Sequence, residues 1–533
     1  MRDVRDGPAA AVASLAAGVE TLGALLARTY GPVAAPVLLD SGRALPEFVE
    51  DAGVLARRIT GLSDRRRHAG VMALRESCLA TRRRNGDGAA TLAVLARSMV
   101  ARATRLVVAG ADPVAVRRGI DRGVAAACAA LTAAAVPVGG AGDLRRLAAG
   151  ASHDVELADV LGELFDLLGE RAALIVEERD TPGVDRGYVD GARWRAKPAF
   201  REVLPDGSTD VALQDPVIVV ADATLTAAAD VVPALEHALA SRRPLLLVVR
   251  GIEGGAKAAV LANRARLAIV PMRLASIERQ VPDDVADLAL LTGATLLGDA
   301  VGHPPRALRP EHCGAARHVV LTRRHVTVSG GAGTAADTAE RAGHLLGRAV
   351  SMERGSDEWR ATRMRIARLT GAQGVIVVGG YTETERQLRA DLAGKAQRVL
   401  ELAASGGAVP GGGVALHECA DAVRAARSGC GDADETWGVD LVAAALSAPL
   451  RQLIENYRSR HDGPHPAVAL ERIAELGGGW GFDARQGDYA PMAKAGVLDA
   501  AGVLIGALQA AGSLAATVVG SAVVVPARKR AVA

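Results

Sequence analysis

A chain of 533 residues has room for about three domains and a large buried core. Half of it is apolar but only 2% is aromatic, so that core must be built from Ala, Val and Leu. With 63 basic against 60 acidic residues, a net charge of +3 gives no electrostatic footprint for nucleic acid.

The five cysteines form no CxxC pair and read as small buried hydrophobes in a reducing cytoplasm. Charges at Arg2, Asp3, Arg5 and Asp6 interrupt any leader-like apolar run. Val12, Leu15, Val19, Leu22, Leu25 and Leu26 recur at helical spacing over 9–29, and Thr29-Tyr30-Gly31-Pro32 ends that helix. A strand at 37–40 and a turn at Glu50-Asp51-Ala52-Gly53 follow, then helices over 69–84, 91–109 and 113–135. The Arg65–Arg67 and Arg82–Arg84 runs read as solvated helix faces.

Between the first and second of those helices lies Asn85-Gly86-Asp87-Gly88-Ala89-Ala90-Thr91. Its glycines let backbone approach a ligand, the next helix turns its first N–H groups toward the loop, and Asp87 offers a hard oxygen. That pattern suits phosphate with Mg2+, and equally an ordinary capped helix.

A glycine-rich link from 140, a helix over 157–168 and a strand at 173–176 come next. From 216 to 330 the rhythm becomes βαβ, with strands at 217–220, 245–249, 267–270, 294–297 and 319–321 and helices near 224–240, 255–265 and 283–292. No GxGxxG follows its first strand, which argues against a dinucleotide-binding enzyme. Helices over 334–350 and 357–369 and a strand at 374–378 precede a long helix over 383–404. Ala408-Val409-Pro410-Gly411-Gly412-Gly413 then opens a further helix, a second candidate phosphate cradle. The charge-free Val503–Val525 is diluted by Gln509, Ser513, Thr517 and Ser521, and reads as a core helix plus a terminal strand, not a membrane span.

The blocks Asn85–Thr91, Asp185-Arg186-Gly187-Tyr188, Arg365–Gly371, Val409–Leu416 and Tyr489–Asp499 resemble the GroEL-type (group I) chaperonins, in that family's order and over about 9–525. The resemblance implies a multidomain α+β fold. A mostly helical equatorial domain would be built from 1–135 and 406–533, a small intermediate domain from 136–179 and 374–405, and an α/β apical domain from 180–373. It further implies a homo-oligomeric ring, usually of seven subunits and single or double, that encloses non-native client proteins, in the family beneath a co-chaperonin lid, in the cytoplasm and without nucleic acid or membrane.

Carried over by motif, ATP would lie against Thr29, Tyr30, Gly31 and Pro32, with Asp87, Gly88, Ala89, Ala90 and Thr91 at the phosphates and Asp87 on Mg2+. Gly412, Asp483, Ala484 and Asp499 would face base and ribose, and Glu50 and Asp51 the γ-phosphate. The departures are as informative. Ala89 and Ala90 stand where the family has threonines, Glu50 where it has a lysine, and Lys395 where it has the aspartate that orients the attacking water. Glu50 and Lys395 are expected either to pair or to leave Lys395 on phosphate, with Asp391 a weak substitute base. Client capture is expected of Tyr188, Trp194, Val232, Leu235 and Leu261, interrupted by Lys257, for a restricted client set. Arg186 and Glu383 match switching salt-bridge residues. Hydrolysis is expected to be slow or impaired; the alternative is a ring that holds proteins without ATPase cycling.

Overall fold

The computed structural model describes residues 8–33, 36–40, 47–62, 64–169, 172–203, 210–276 and 280–523. Contacts divide the chain into two units, one of 1–170, 178–184 and 378–533, the other of 171–177 and 185–377.

The first unit opens with α1 (Pro8–Ala27) and a hairpin of strands Val37–Leu39 and Glu47–Val49. Next come α2 (Ala52–Arg58), α3 (Arg65–Asn85), α4 (Ala89–Val108), α5 (Pro113–Ala134), α6 (Gly140–Ser152) and α7 (Val155–Leu168). Local chemistry sets the boundaries: Asp51, Asp112 and Asp154 cap α2, α5 and α7 by accepting from first-turn N–H groups, and Pro113 pre-sets the first turn of α5. The expected 140-onward link is instead the helix α6. Its glycines disfavour a helix, but Leu144, Leu147, Ala148 and Ala151 make a buried stripe that packs on α7.

The second unit holds α8 (Val232–Ser241), α9 (Gly254–Asn263), α10 (Val281–Thr292), α11 (Ala335–Ser351) and α12 (Asp357–Thr370). Its seven-stranded sheet runs His325–Gly331, Ala192–Pro198, Ile269–Leu274, Leu245–Val248, Val217–Val220, Gly314–Thr322, Asp210–Gln214. The three strands at 217, 245 and 269 are parallel and the rest antiparallel. Side-chain alternation splits the core: Val217 and Val219 join the α8–α9 cluster, Ile218 and Val220 the α10 cluster. The expected strand at 294–297 is reduced to one bridge, Ala221 with Leu297, and the first part of the expected 224–240 helix is a short strand and a 3-10 turn. On α12, Arg365 grips Asp287 of α10 through two bonds of 2.6 and 2.9 Å, both partners buried.

The chain then returns to the first unit with α13 (Glu383–Gly406), α14 (Val414–Glu418), α15 (Ala420–Ala425), α16 (Ala433–Ala445), α17 (Ala448–Arg458), α18 (Pro466–Leu476) and α19 (Ala501–Val519). By length and hydropathy α1 and α19 could each cross a membrane, yet both pack into one bundle with α3 and α4, and α19 supplies core residues along its length. The terminal strand expected after it falls mostly outside the described residues. An aromatic-poor core lets helices approach closely. A Cβ at Gly18 would lie 2.2 Å from the Arg67 carbonyl at the α1–α3 crossing, and one at Gly438 would lie 2.4 Å from the Val116 carbonyl at the α5–α16 crossing.

Candidate functional site

The loop between α3 and α4 turns through Gly86 and Gly88 at φ of +79° and +93°, a backbone only glycine adopts without strain. A Cβ on Gly86 would lie 2.5 Å from the Lys395 carbonyl, so the loop rests directly on the backbone of α13. No side chain caps α4, and its first-turn N–H groups face the loop, an anion cradle completed by Thr91.

Strand pairing brings in the second glycine loop. Ala408–Pro410 pairs antiparallel with Leu498–Ala500, placing Asp499 opposite Val409 and just ahead of Gly411–Gly413. Beside it stands a wall of Leu450, Leu453, Ile454, Phe482 and Ala484, with Tyr30, Tyr457 and Tyr489 packed against it. Three of the chain's five tyrosines gather there, an apolar wall fit for a planar base. Asp483 serves the turn, accepting from the Arg485 N–H at 2.9 Å.

Thr29 is buried and donates to the Leu26 carbonyl, while Gly31 and the exposed Pro32 continue the turn. The turn is held by Asn456 of α17, which donates to the carbonyls of Ala27 and Tyr30, both at 2.8 Å. The Tyr30 phenol bonds Thr91 and lies in the field of Asp499 and Asp87; burial above all keeps it protonated far beyond its ordinary range. Asp499 is pushed up to about 7, first by burial and then by Asp87.

Lys395 dominates the centre. It is 7% exposed, donates to Asp51 Oδ2 at 3.0 Å and lies 3.4 Å from Asp87 Oδ1. Burial pulls its ammonium down, but the Asp87 and Asp51 carboxylates outweigh that and hold its pKa above the usual value. Burial conversely raises Asp51, and Lys395, Arg82 and the Val54 N–H together bring it below the ordinary carboxylate range.

Several expectations change here. Lys395 pairs with Asp51 and Asp87, not with Glu50, which is exposed at the end of its strand. Arg82, read as part of a solvated run, reaches Asp51 at 3.4 Å. Asp391 is exposed one turn before Lys395 and takes no part. His153 was missed altogether. It ends α6 in the left-handed conformation at φ 56°, and partial enclosure, then the Lys395 ammonium, lower its pKa. Neither His153 nor Asn456 carries a local sequence signal, since tertiary packing alone brings them to the site.

The cradle, the apolar wall and Asp499 fit a nucleotide. They do not fit the divalent cation that usually accompanies one. A dication on Asp87 would have to share that carboxylate with the Lys395 ammonium, which lies 3.4 Å from its Oδ1. Among the described residues no three carboxylate, imidazole or thiol groups converge on a metal position.

In the second unit, Val232 and Leu261 are 37% and 39% exposed on α8 and α9, and Tyr188 is 48% exposed. Leu235 and Trp194 are not surface residues. Leu235 packs under α8 at 3% exposure, and Trp194, at 1%, lies in the sheet core with the Arg368 guanidinium over its ring. Lys257 sits over the Phe200 ring at 4.8 Å. Arg186 and Glu383 are both exposed, Glu383 in the first turn of α13. A separate cleft of about 680 Å3 between α1, α4 and α17, lined by Glu20, Arg97, Arg451 and Glu455, lies away from this chemistry.

A helical unit assembled from both chain ends around a glycine-lined anion cradle, with an α/β unit inserted, is the build of a chaperonin subunit. Residues 231–529 match the TCP-1/cpn60 chaperonin family, and the chain belongs to that family. Among solved structures it is similar to the chaperonin gp146 of bacteriophage EL 2 (Pseudomonas aeruginosa), crystallised in the presence of ATP-BeFx. The two share 17% identity over 97% of this chain and 98% of that one, with a TM-score of 0.74.

Proposed function

We propose that this chaperonin binds ATP in the cradle between α4 and Asp499 and hydrolyses it slowly if at all, and that it assembles as a homo-oligomeric ring of the seven-subunit type. The carrying observation is the position of Lys395. A water attacking the γ-phosphate needs an acceptor for its proton, and an ammonium held charged by two carboxylates has only donors to offer. The three-domain division read from sequence assigns 136–179 and 374–405 to an intermediate domain, and of these 136–170, 178–179 and 378–405 belong to the first unit; Arg186 and Glu383 are the residues proposed to switch partners in the cycle.

The client-binding face is Val232, Leu261 and Tyr188, three exposed apolar or aromatic side chains interrupted by Lys257. Three exposed side chains, on α8, on α9 and at the end of the Gly183–Tyr188 strand, support a restricted client set. The Lys395 contacts also favour a second reading, a ring that holds clients with no nucleotide clock. Steady-state phosphate release from Mg-ATP separates the two, with Asp87→Ala as blank and Lys395→Asp beside it. Release by the natural protein above the blank supports slow cycling. Silence in the natural protein with release by Lys395→Asp places the block at that one side chain. Silence in both favours the holding ring.

A further inference from the structure

The groups in direct contact around Lys395 pair off without a metal. Asp51 and Asp87 contribute two negative charges, and Lys395 and Arg82 two positive ones, all within 3.4 Å contacts of a partner. The ammonium is no loose surface group. Its stem is buried on α13 beside the stripe of Ala396, Val399 and Leu402, and the Gly86 turn presses on its own carbonyl. The ammonium is held by the two carboxylates it contacts, Asp51 at 3.0 Å and Asp87 at 3.4 Å.

We propose that Lys395 takes the place of the divalent cation, so that this chaperonin binds a nucleoside triphosphate as the metal-free anion. The inference rests on the nucleotide reading above and goes beyond it, because it replaces the metal cofactor with a residue of the chain. Two features agree. Asp87, the carboxylate that would hold a cation, already faces the ammonium, and Asp51, which could share it, accepts a direct hydrogen bond from the same nitrogen. The incoming phosphates would meet the Lys395 ammonium and the N–H groups at the start of α4, a lysine-plus-helix cradle that neutralises charge without coordination geometry.

The test is equilibrium binding of ATP to the full-length protein by titration calorimetry, in millimolar MgCl2 and again in EDTA, alongside Lys395→Asp and Lys395→Arg. The expected result is a Kd for the natural protein and for Lys395→Arg that changes less than threefold between the two buffers, while Lys395→Asp weakens more than tenfold in EDTA. Should Lys395→Asp not fold, Lys395→Met serves, since it too leaves Asp51 and Asp87 without the ammonium. Binding by the natural protein that weakens more than tenfold in EDTA overturns the inference and leaves the nucleotide reading standing. No binding in either buffer overturns both.

Discussion

Lys395→Met keeps the buried stem and deletes the ammonium, which isolates the contribution of the central pair. Breaking one side of a fully buried ion pair costs ~3–5 kcal/mol. Here Asp51 retains Arg82 at 3.4 Å and the Val54 N–H at 2.9 Å, and Asp87 is 40% exposed, so neither carboxylate is left stranded. The expected loss is accordingly smaller, about 2 kcal/mol. Its pH dependence follows from the shifts. The lowered Asp51 contributes stability that is present above ~4 and fades as pH falls through its depressed folded value; the raised Lys395 contributes stability that is present below ~10.4 and fades as pH rises through its elevated one. Between ~7 and 9, above the titration of His153, whose pKa the same ammonium lowers, the difference from the natural protein should therefore be flat. Urea unfolding of both proteins at pH 7, 8 and 9, read at the first transition by far-UV circular dichroism, measures it. A loss under ~0.5 kcal/mol, or one that halves across that range, would refute the account of the pair as a buried and persistently charged clasp.

Asp499, raised to about 7, binds its proton more tightly folded than unfolded, so its contribution is full below ~4 and is lost as pH climbs to ~7. The natural protein should lose on the order of 2 kcal/mol more than Asp499→Asn between pH 5 and 8, and equal slopes in the two would sink the assignment. Trp194→Ala should cost roughly 3–5 kcal/mol in urea unfolding, as core removal does. The pair Val232→Ser and Leu261→Ser should stay within ~0.5 kcal/mol of the natural protein yet weaken capture of a chemically unfolded test protein in light-scattering assays. Gly438→Ala should destabilise by about 1–3 kcal/mol by forcing α5 and α16 apart. Gly343→Ala, where a Cβ meets nothing within 4 Å, should instead stabilise by roughly 0.5–1 kcal/mol; equal effects at both glycines would contradict the close-crossing account.

Helices with local punctuation were legible in the sequence to within a few residues. α5 begins at Asp112-Pro113, α12 begins after Ser356 and ends at Gly371, and α13 begins after Thr382, each a cap whose chemistry is written beside it. α6 was not, because its glycines hide a helix that packing on α7 sustains. The glycine turn at 86–88 and the approach of Lys395 to the acidic cluster could be anticipated, but not which carboxylates it would choose. Asp51 and Lys395 are joined only by the fold, and Arg82 was masked by its neighbours in a run of three. Trp194 was readable after all. Ala192, Trp194 and Ala196 alternate with Arg193, Arg195 and Lys197, the period of a strand with one face inward, and that face belongs to the core.

The return of α13–α19 to the first unit has a consequence for how the chain is made. α4 and α5 bury much of their apolar surface against α16 and α19, yet 194 positions separate Val184 from Val378, the point where the chain comes back. At ~5–20 residues per second the ribosome needs roughly 10–40 s to cross that interval. Throughout it the sides of α4 and α5 that α16 and α19 later cover stand exposed, beyond the help of any partner encoded later in the same message. A subunit whose own folding leaves it waiting in that state is, while being synthesised, the kind of non-native chain that a chaperonin exists to receive.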